Sequence, residues 1–226
     1  MTAKGNISDK AYLHIRETLL HSDVYVGQKI LHHELGQKLG ISHTPLREAM
    51  FRLAAEGLIE HKNYKGFSIS AITLDEAREI YETREVIEPF MAEKAAGVMT
   101  PEKSAAFLKI LEHYKRLLSE PYSRSRLLID KKLHMEIAKL SGNKILAQTL
   151  SLNCDKLIFK SLFEKISTER GLKIVEEHSK ILAVLGKKDG KKAAKLMKHH
   201  IREQKHYMIK NIKSTYSENI LRPLAK

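Results

Sequence analysis

Four polar residues stand where the helical periodicity of this chain demands apolar ones, and all four are of types that bind metal ions. Asp130 and His134 are four residues apart on the face that also carries Leu127, Ile137 and Ala138, so both side chains leave one helix in the same direction. His178 interrupts the stripe Ile174, Val175, Ile181, Leu182 and Leu185, and His200 interrupts the stripe Ala193, Met197, Ile201 and Met208. The adjacent His199 shares a largely polar face with Lys192, Lys195, Leu196, Arg202 and His206, which makes His200 the inward one. The two stripes are joined by the turn Lys187-Lys188-Asp189-Gly190, and His178 and His200 lie nearly equally far before and after it. An antiparallel hairpin therefore brings both imidazoles to one level. One carboxylate and three imidazoles converging inside a helix bundle are a ligand set for a divalent transition metal. The alternative is four separately hydrogen-bonded core residues; the pairing by helical spacing and by hairpin level favours the metal.

The elements that must position these residues are helices. Thr73-Leu74-Asp75-Glu76 is a capping box, and Thr100-Pro101-Glu102 is a second start signal with proline at the first helical position. Breaks follow at Pro121, at Ser141-Gly142-Asn143, near Gly171 and at Gly186 to Gly190, leaving predicted helices over 75–97, 102–118, 124–140, 144–165, 172–185 and 191–213. Residues 73–226 are accordingly expected to form an all-α bundle. Asn153 shares a stripe with Leu146, Thr149, Leu150 and Leu157 and is expected to line the bundle's cavity.

Residues 1–72 read differently. Leu35 and Leu39 share a helical face and Gly40 ends that helix; Ser42 can cap the next one, with Pro45 in its first turn. In this second helix Leu46, Ala49, Met50, Leu53 and Ala54 repeat at helical spacing, which leaves His43, Thr44, Arg47 and Glu48 on the outer side. Two short helices joined by a tight turn are a helix-turn-helix, and those outer positions are the ones such a motif presents to DNA. The alternating Phe67-Ser68-Ile69-Ser70 after Asn63, Lys65 and Gly66 predicts a small β-hairpin with Gly66 at or near its turn. The expected fold class is mostly α: an N-terminal winged helix-turn-helix over 1–72 and an all-α bundle over 73–226.

The residues Ser42-His43-Thr44-Pro45-Leu46-Arg47-Glu48-Ala49, with Leu53 and Glu56-Gly57-Leu58-Ile59, resemble the winged-helix signature of GntR-type bacterial transcriptional regulators. The resemblance implies DNA contacts from His33, Ser42, His43, Thr44 and Arg47 and from Lys65 and Gly66 in the wing. His33 and His43 stand where that family commonly has Arg, so the contact set is less cationic than usual. A second resemblance is carried by Asp130-x-x-x-His134 with Ser141-Gly142-Asn143, Glu177-His178 and His200-Ile201, which are similar to the FCD effector domain of the FadR-like branch. It implies that Asp130, His134, His178 and His200 bind zinc, nickel or a similar ion and that open coordination positions take a small carboxylate effector. It also implies that Arg84, in Tyr81-Glu82-Thr83-Arg84-Glu85, pairs with the effector's carboxylate; a plain ion pair with Glu88, four residues on, is the other reading of Arg84.

Bulk properties bound the rest. The net charge is +13, yet residues 1–72 hold 9 Lys and Arg against 7 Asp and Glu, a net of +2, so the total is no evidence for the helix-turn-helix. The other 154 residues carry +11, of which +9 lies in residues 187–226. A single cysteine, Cys154, fits a reducing cytoplasm, and no apolar run approaches a membrane span. The expectation is a cytoplasmic, dimeric regulator, more often a repressor, that binds a roughly palindromic operator under control of a carboxylate at a metal. The alternatives are a metal-dependent hydrolase, and a regulator whose metal is purely structural or is itself the signal.

Overall fold

The computed structural model describes residues 7–22, 26–119, 124–160 and 167–221, with side chains as far as residue 214. The chain divides into two compact units, one of residues 1–72 with 155–162 and one of 73–154 with 163–226.

In the first unit α1 (Ile7–His21) is followed by β1 (Lys29–Ile30), α2 (His32–Leu39), α3 (His43–Ala55), β2 (Glu60–Lys62) and β3 (Gly66–Ser68). Its core forms where α1 packs on α3, with Ile15, Leu19 and Leu20 buried beside Leu46, Ala49, Met50 and Leu53. Gly40 ends α2 with φ 64°, a left-handed conformation that costs a residue with a Cβ more than it costs glycine. Gly36 is where α2 meets α3: a Cβ there would lie 2.6 Å from Leu46 Cδ2. Ser42 holds the N-cap position of α3 in extended backbone, but its side chain makes no capping hydrogen bond, contrary to expectation. The hairpin β2–β3 pairs His61 with Phe67, and β1 adds a third antiparallel strand, giving the order β1-β3-β2. Two residues are too short a run for periodicity to show, which is why β1 was not predicted.

The second unit is helical: α4 (Leu74–Gly97), α5 (Pro101–Arg116) with a 3₁₀ turn at Leu117–Ser119, α6 (Arg124–Leu140), α7 (Lys144–Lys160, entering the first unit at 155), α8 (Thr168–Gly186) and α9 (Gly190–Leu221). Both predicted caps form, with the Thr73 and Thr100 hydroxyls accepting from Glu76 N at 3.1 Å and Lys103 N at 3.3 Å. The break expected near Gly171 falls a few residues earlier, at Ser167. Helix α8 starts earlier, where the Ser167 hydroxyl accepts from Arg170 N, and Gly171 lies inside it because a Cβ would meet Leu118 Cδ2 at 2.4 Å. That glycine answers to packing rather than to a turn. The expected break at Pro121 and the end of the 144–165 helix lie outside the described residues. Helix α4 packs most extensively on α9, and α8 packs on α5 and α9. These contacts place one turn each of α4, α6, α8 and α9 around a common interior point.

Candidate metal centre and nucleic-acid interface

At that point Asp130 and His134 from α6, His178 from α8 and His200 from α9 offer ligand atoms that all lie within 4.8 Å of one another. The three histidines are fully buried, and the Asp130 side chain is 17% exposed. The Nε2 atoms form a near-equilateral triangle: His178 to His200 is 3.2 Å, His178 to His134 3.3 Å and His200 to His134 3.3 Å. Asp130 Oδ2 is 3.7 Å from His134 Nε2 and its Oδ1 3.7 Å from His178 Nε2.

The opposite edges of two of these rings are held by carboxylates. His134 Nδ1 meets Glu88 Oε2, and His200 Nδ1 meets Glu177 Oε2 at 2.6 Å. An ionised carboxylate only accepts, so these contacts put the ring proton on Nδ1 and leave each Nε2 as a bare lone pair. Each carboxylate is in turn held by an arginine. Arg84 Nε donates to Glu88 Oε1 at 2.5 Å, and Arg170 donates to both Glu177 oxygens at 2.7 and 3.3 Å. Two parallel relays, Arg84–Glu88–His134 and Arg170–Glu177–His200, thus converge on the triangle.

Electrostatics keep the site ready for a cation. Burial pushes the His178 imidazolium well below the usual histidine range, with His200 and His134 adding to the effect. Burial also lowers His200, partly offset by its hydrogen bond to Glu177. Burial alone would raise the Glu88 carboxyl, but Arg84 and His134 outweigh it and hold the group at about 2. Glu177 is lowered too, because His200 and Arg170 overcome its burial.

The residues present fit a metal. The Nε2 lone pairs of His134 and His200 face each other and His178 Nε2, and buried Asp130 Oδ1 has no hydrogen-bond partner. That arrangement is repulsive unless a positive charge sits inside it. With metal–nitrogen bonds of about 2.1 Å, nitrogens at this spacing subtend roughly 100° at one ion, which suits several divalent metals.

Arg84 lies in α4, 4% exposed, and pairs with Glu88, while its Nη2 is buried with no hydrogen-bond partner. Asn153 in α7 is half-buried with its Nδ2 unpartnered; among the described residues no hydrogen bond joins it to the four-residue cluster.

The residues expected to meet DNA gather in the first unit. His33 is exposed in the first turn of α2; Ser42, His43, Thr44 and Arg47 are exposed at the start of α3; Lys65 is exposed and Gly66 half-buried in the hairpin. Gly66 opens β3 with φ 80°, and the turn closes through Lys65 N to Lys62 O at 3.0 Å. Glu48, also on the outer side, accepts from the Ser8 hydroxyl of α1. The Arg47 guanidinium lies 5.6 Å from the Phe51 ring, which packs edge-on against His61 and Phe67 of the hairpin. An aromatic spine therefore ties the recognition helix to its wing.

Comparison with known proteins bears on both sites. The profile of the FCD domain matches residues 79–203, and that of bacterial regulatory proteins of the gntR family matches residues 7–69. The chain belongs to the GntR family. The uncharacterized HTH-type transcriptional regulator YdhC of Bacillus subtilis is 26% identical to this GntR regulator over 185 residues, covering 81% of this chain and 82% of its own. The HTH-type transcriptional repressor RspR of Escherichia coli is 22% identical over 200 residues, covering 87% and 86%. Among solved structures, E. coli McbR/YncC aligns with a TM-score of 0.79 at 18% identity, covering 91% of this chain and 98% of its own, a likeness of fold. The family and its relatives are transcriptional regulators rather than enzymes, which removes the hydrolase alternative. No described helix of this GntR regulator is long and apolar enough to cross a membrane.

Sequence reasoning missed how Glu88, Glu177 and Arg170 serve the histidines. The adjacency of Glu177 to His178 and the spacing of Arg84 and Glu88 were visible, but only packing shows which imidazole each carboxylate meets. The wing tip was missed as well: Tyr64 is fully exposed at φ 63°, a backbone conformation costly for a residue with a Cβ.

Proposed function

We propose that this chain is a metal-dependent transcriptional repressor whose affinity for a roughly palindromic operator is set by a small carboxylate bound in the helical domain. Residues 1–72 act as the DNA-binding domain and 73–226 as the effector domain, and the chain works in the cytoplasm as a homodimer. The observation that carries the effector site is the convergence of three buried Nε2 atoms and the unpartnered Asp130 Oδ1 on one point.

Asp130, His134, His178 and His200 would hold the ion, zinc or nickel by their donor types. When bound, such an ion supplies positive charge and open positions for a carboxylate oxygen. Arg84 serves the same anion: its Nε stays on Glu88 while Nη2 is available for a second carboxylate. Asn153 Nδ2 is a further donor for the effector. In the DNA-binding domain His33, Ser42, His43, Thr44, Arg47, Lys65 and Gly66 form the contact surface, and two such domains on a two-fold axis match a two-fold operator. The effector changes operator affinity only through its unequal affinity for the two states. The name of the relative RspR supports the repressor sign.

The test is a gel shift of the DNA upstream of the protein's own gene, with and without chelator and a panel of small carboxylates. A shift that responds to a carboxylate only in metal-loaded protein is expected; the absence of any shifted fragment at low salt refutes the proposal. His178→Ala separates a purely structural metal, for which the bundle melts, from an effector site, for which the protein stays folded but loses its response.

A further inference from the structure

The first turns of α9 carry a lysine face whose side chains, among the described residues, form no ion pair. Lys187 and Lys188 in the α8–α9 turn and Lys191, Lys192, Lys195 and Lys198 in α9 are all exposed. Lys191, Lys195 and Lys198 follow at helical spacing along one side. Among the described residues none of the six pairs with a carboxylate. The nearby acids are otherwise placed: Asp189 Oδ1 accepts from the Lys192 backbone N–H at 3.1 Å, and Glu93, beside Gly190, forms no ion pair with the lysines. Further along the same helix the pattern reverses, with Arg202 bonded to Glu85 and Lys205 to Glu82, each at 3.0 Å.

Six exposed like charges held together repel one another and want an extended anion. A second copy of the same face repels it, so this is not a surface for two-fold self-association. It also exposes no large apolar side chain between residues 187 and 199 that could insert into a bilayer. The partner that fits is duplex DNA. Proteins that bind DNA draw their sequence-independent affinity from Lys and Arg that displace counterions from phosphates, and the DNA-binding domain supplies little of this, with a net charge of only +2 in residues 1–72. From Lys191 to Lys198 the helix runs about 10 Å, a length over which duplex DNA carries roughly six phosphates.

We infer that the lysine face of residues 187–198 is a second DNA contact, on the helical domain, which binds the phosphate backbone without reading sequence. It goes beyond the operator contacts of the helix-turn-helix and needs neither metal nor effector. The experiment measures the affinity of the full-length protein for a sequence-shuffled duplex and for the operator by fluorescence anisotropy across a salt series. It compares the wild type with the quadruple variant Lys191→Gln, Lys192→Gln, Lys195→Gln, Lys198→Gln. The expected result is at least a tenfold loss on both duplexes at about 0.1 M salt, a log–log salt slope shallower by roughly 2 to 4, and an unchanged operator-to-shuffled ratio. A control with the same charge change elsewhere, Lys109→Gln, Lys115→Gln, Lys132→Gln, Lys180→Gln, keeps wild-type values, and replacing the four patch lysines by Arg restores affinity. The inference is overturned if the patch variant keeps its affinity and slope, if the control loses as much, or if the patch variant loses only its binding to phosphatidylserine vesicles. Lack of operator preference in the wild type, by contrast, would count against the helix-turn-helix contacts and leave the patch result intact.

Discussion

Replacing Glu177 by Gln tests whether the carboxylate relays set the affinity of the metal centre. The Glu177 side chain, 16% exposed, accepts from His200 Nδ1 at 2.6 Å and from Arg170 at 2.7 and 3.3 Å, so both oxygens are used. Glutamine has one oxygen. If it faces His200, the amide NH₂ is left against the Arg170 guanidinium; if it faces Arg170, the NH₂ meets Nδ1 and drives the ring proton onto Nε2, where it blocks the lone pair aimed at the metal. Either outcome weakens His200 as a ligand while preserving side-chain volume. Loss of such a partner costs about 10- to 100-fold in metal affinity, equivalent to roughly 1.4–2.7 kcal/mol. Competition against a chromophoric chelator for zinc measures it, with thermal melting of the metal-free proteins as the control for folding. A zinc dissociation constant within twofold of wild type would refute the tautomer argument. Glu88→Gln is a harsher change, because it strands the buried Arg84 guanidinium as well as His134; there the metal-free fold itself should lose about 3–5 kcal/mol.

Metal-free protein should be less stable at pH 5.5 than at pH 7.5. His178 and His200 have folded values below the usual 6.5, so the unfolded chain takes up protons first and stability is lost as pH falls through that value. The loss can reach at most on the order of 2 kcal/mol over the first pH unit below 6.5, the limit in which neither folded histidine takes up a proton, and equal urea-unfolding free energies at the two pH values would refute it. Glu88, held at about 2, acts lower: its contribution is present above the ordinary carboxylate value and disappears as pH falls toward 2. His43→Arg should tighten operator binding severalfold, by adding a permanent charge at an exposed position of α3; unchanged or weaker binding by anisotropy would show that the imidazole makes a contact of its own. Gly40→Ala forces a Cβ into φ 64° at the end of α2 and should cost about 1–2 kcal/mol in denaturant unfolding.

The helices were legible because amphipathic periodicity and capping are local. Thr73 and Thr100 cap as the sequence indicates, and Leu46, Ala49, Met50 and Leu53 are the buried face of α3. The metal-type cluster was legible for the same reason: each of its residues breaks an apolar stripe, so four local anomalies pointed inward and the bundle brought them together. What could not be read depends on partners far apart in sequence. Gly171 looks like a break until Leu118 is seen against it, and β1 exists only because β3 offers it an edge. Ser42 has the residue type of a cap and the backbone of one, yet its hydroxyl does not turn back to the helix. Arg84 illustrates the limit most clearly, since the pairing with Glu88 and an available Nη2 coexist in one side chain where spacing offered them as alternatives.

The central claim is that a carboxylate acts on DNA binding through the metal ligands. The most direct measurement is the operator dissociation constant at fixed salt, by fluorescence anisotropy, as a carboxylate that alters the gel shift is titrated into metal-loaded and into metal-stripped protein. The account predicts a shift of about tenfold or more, a coupling of roughly 1.4 kcal/mol, in the loaded protein and none in the stripped protein, with both folded. An equal shift in both would contradict it.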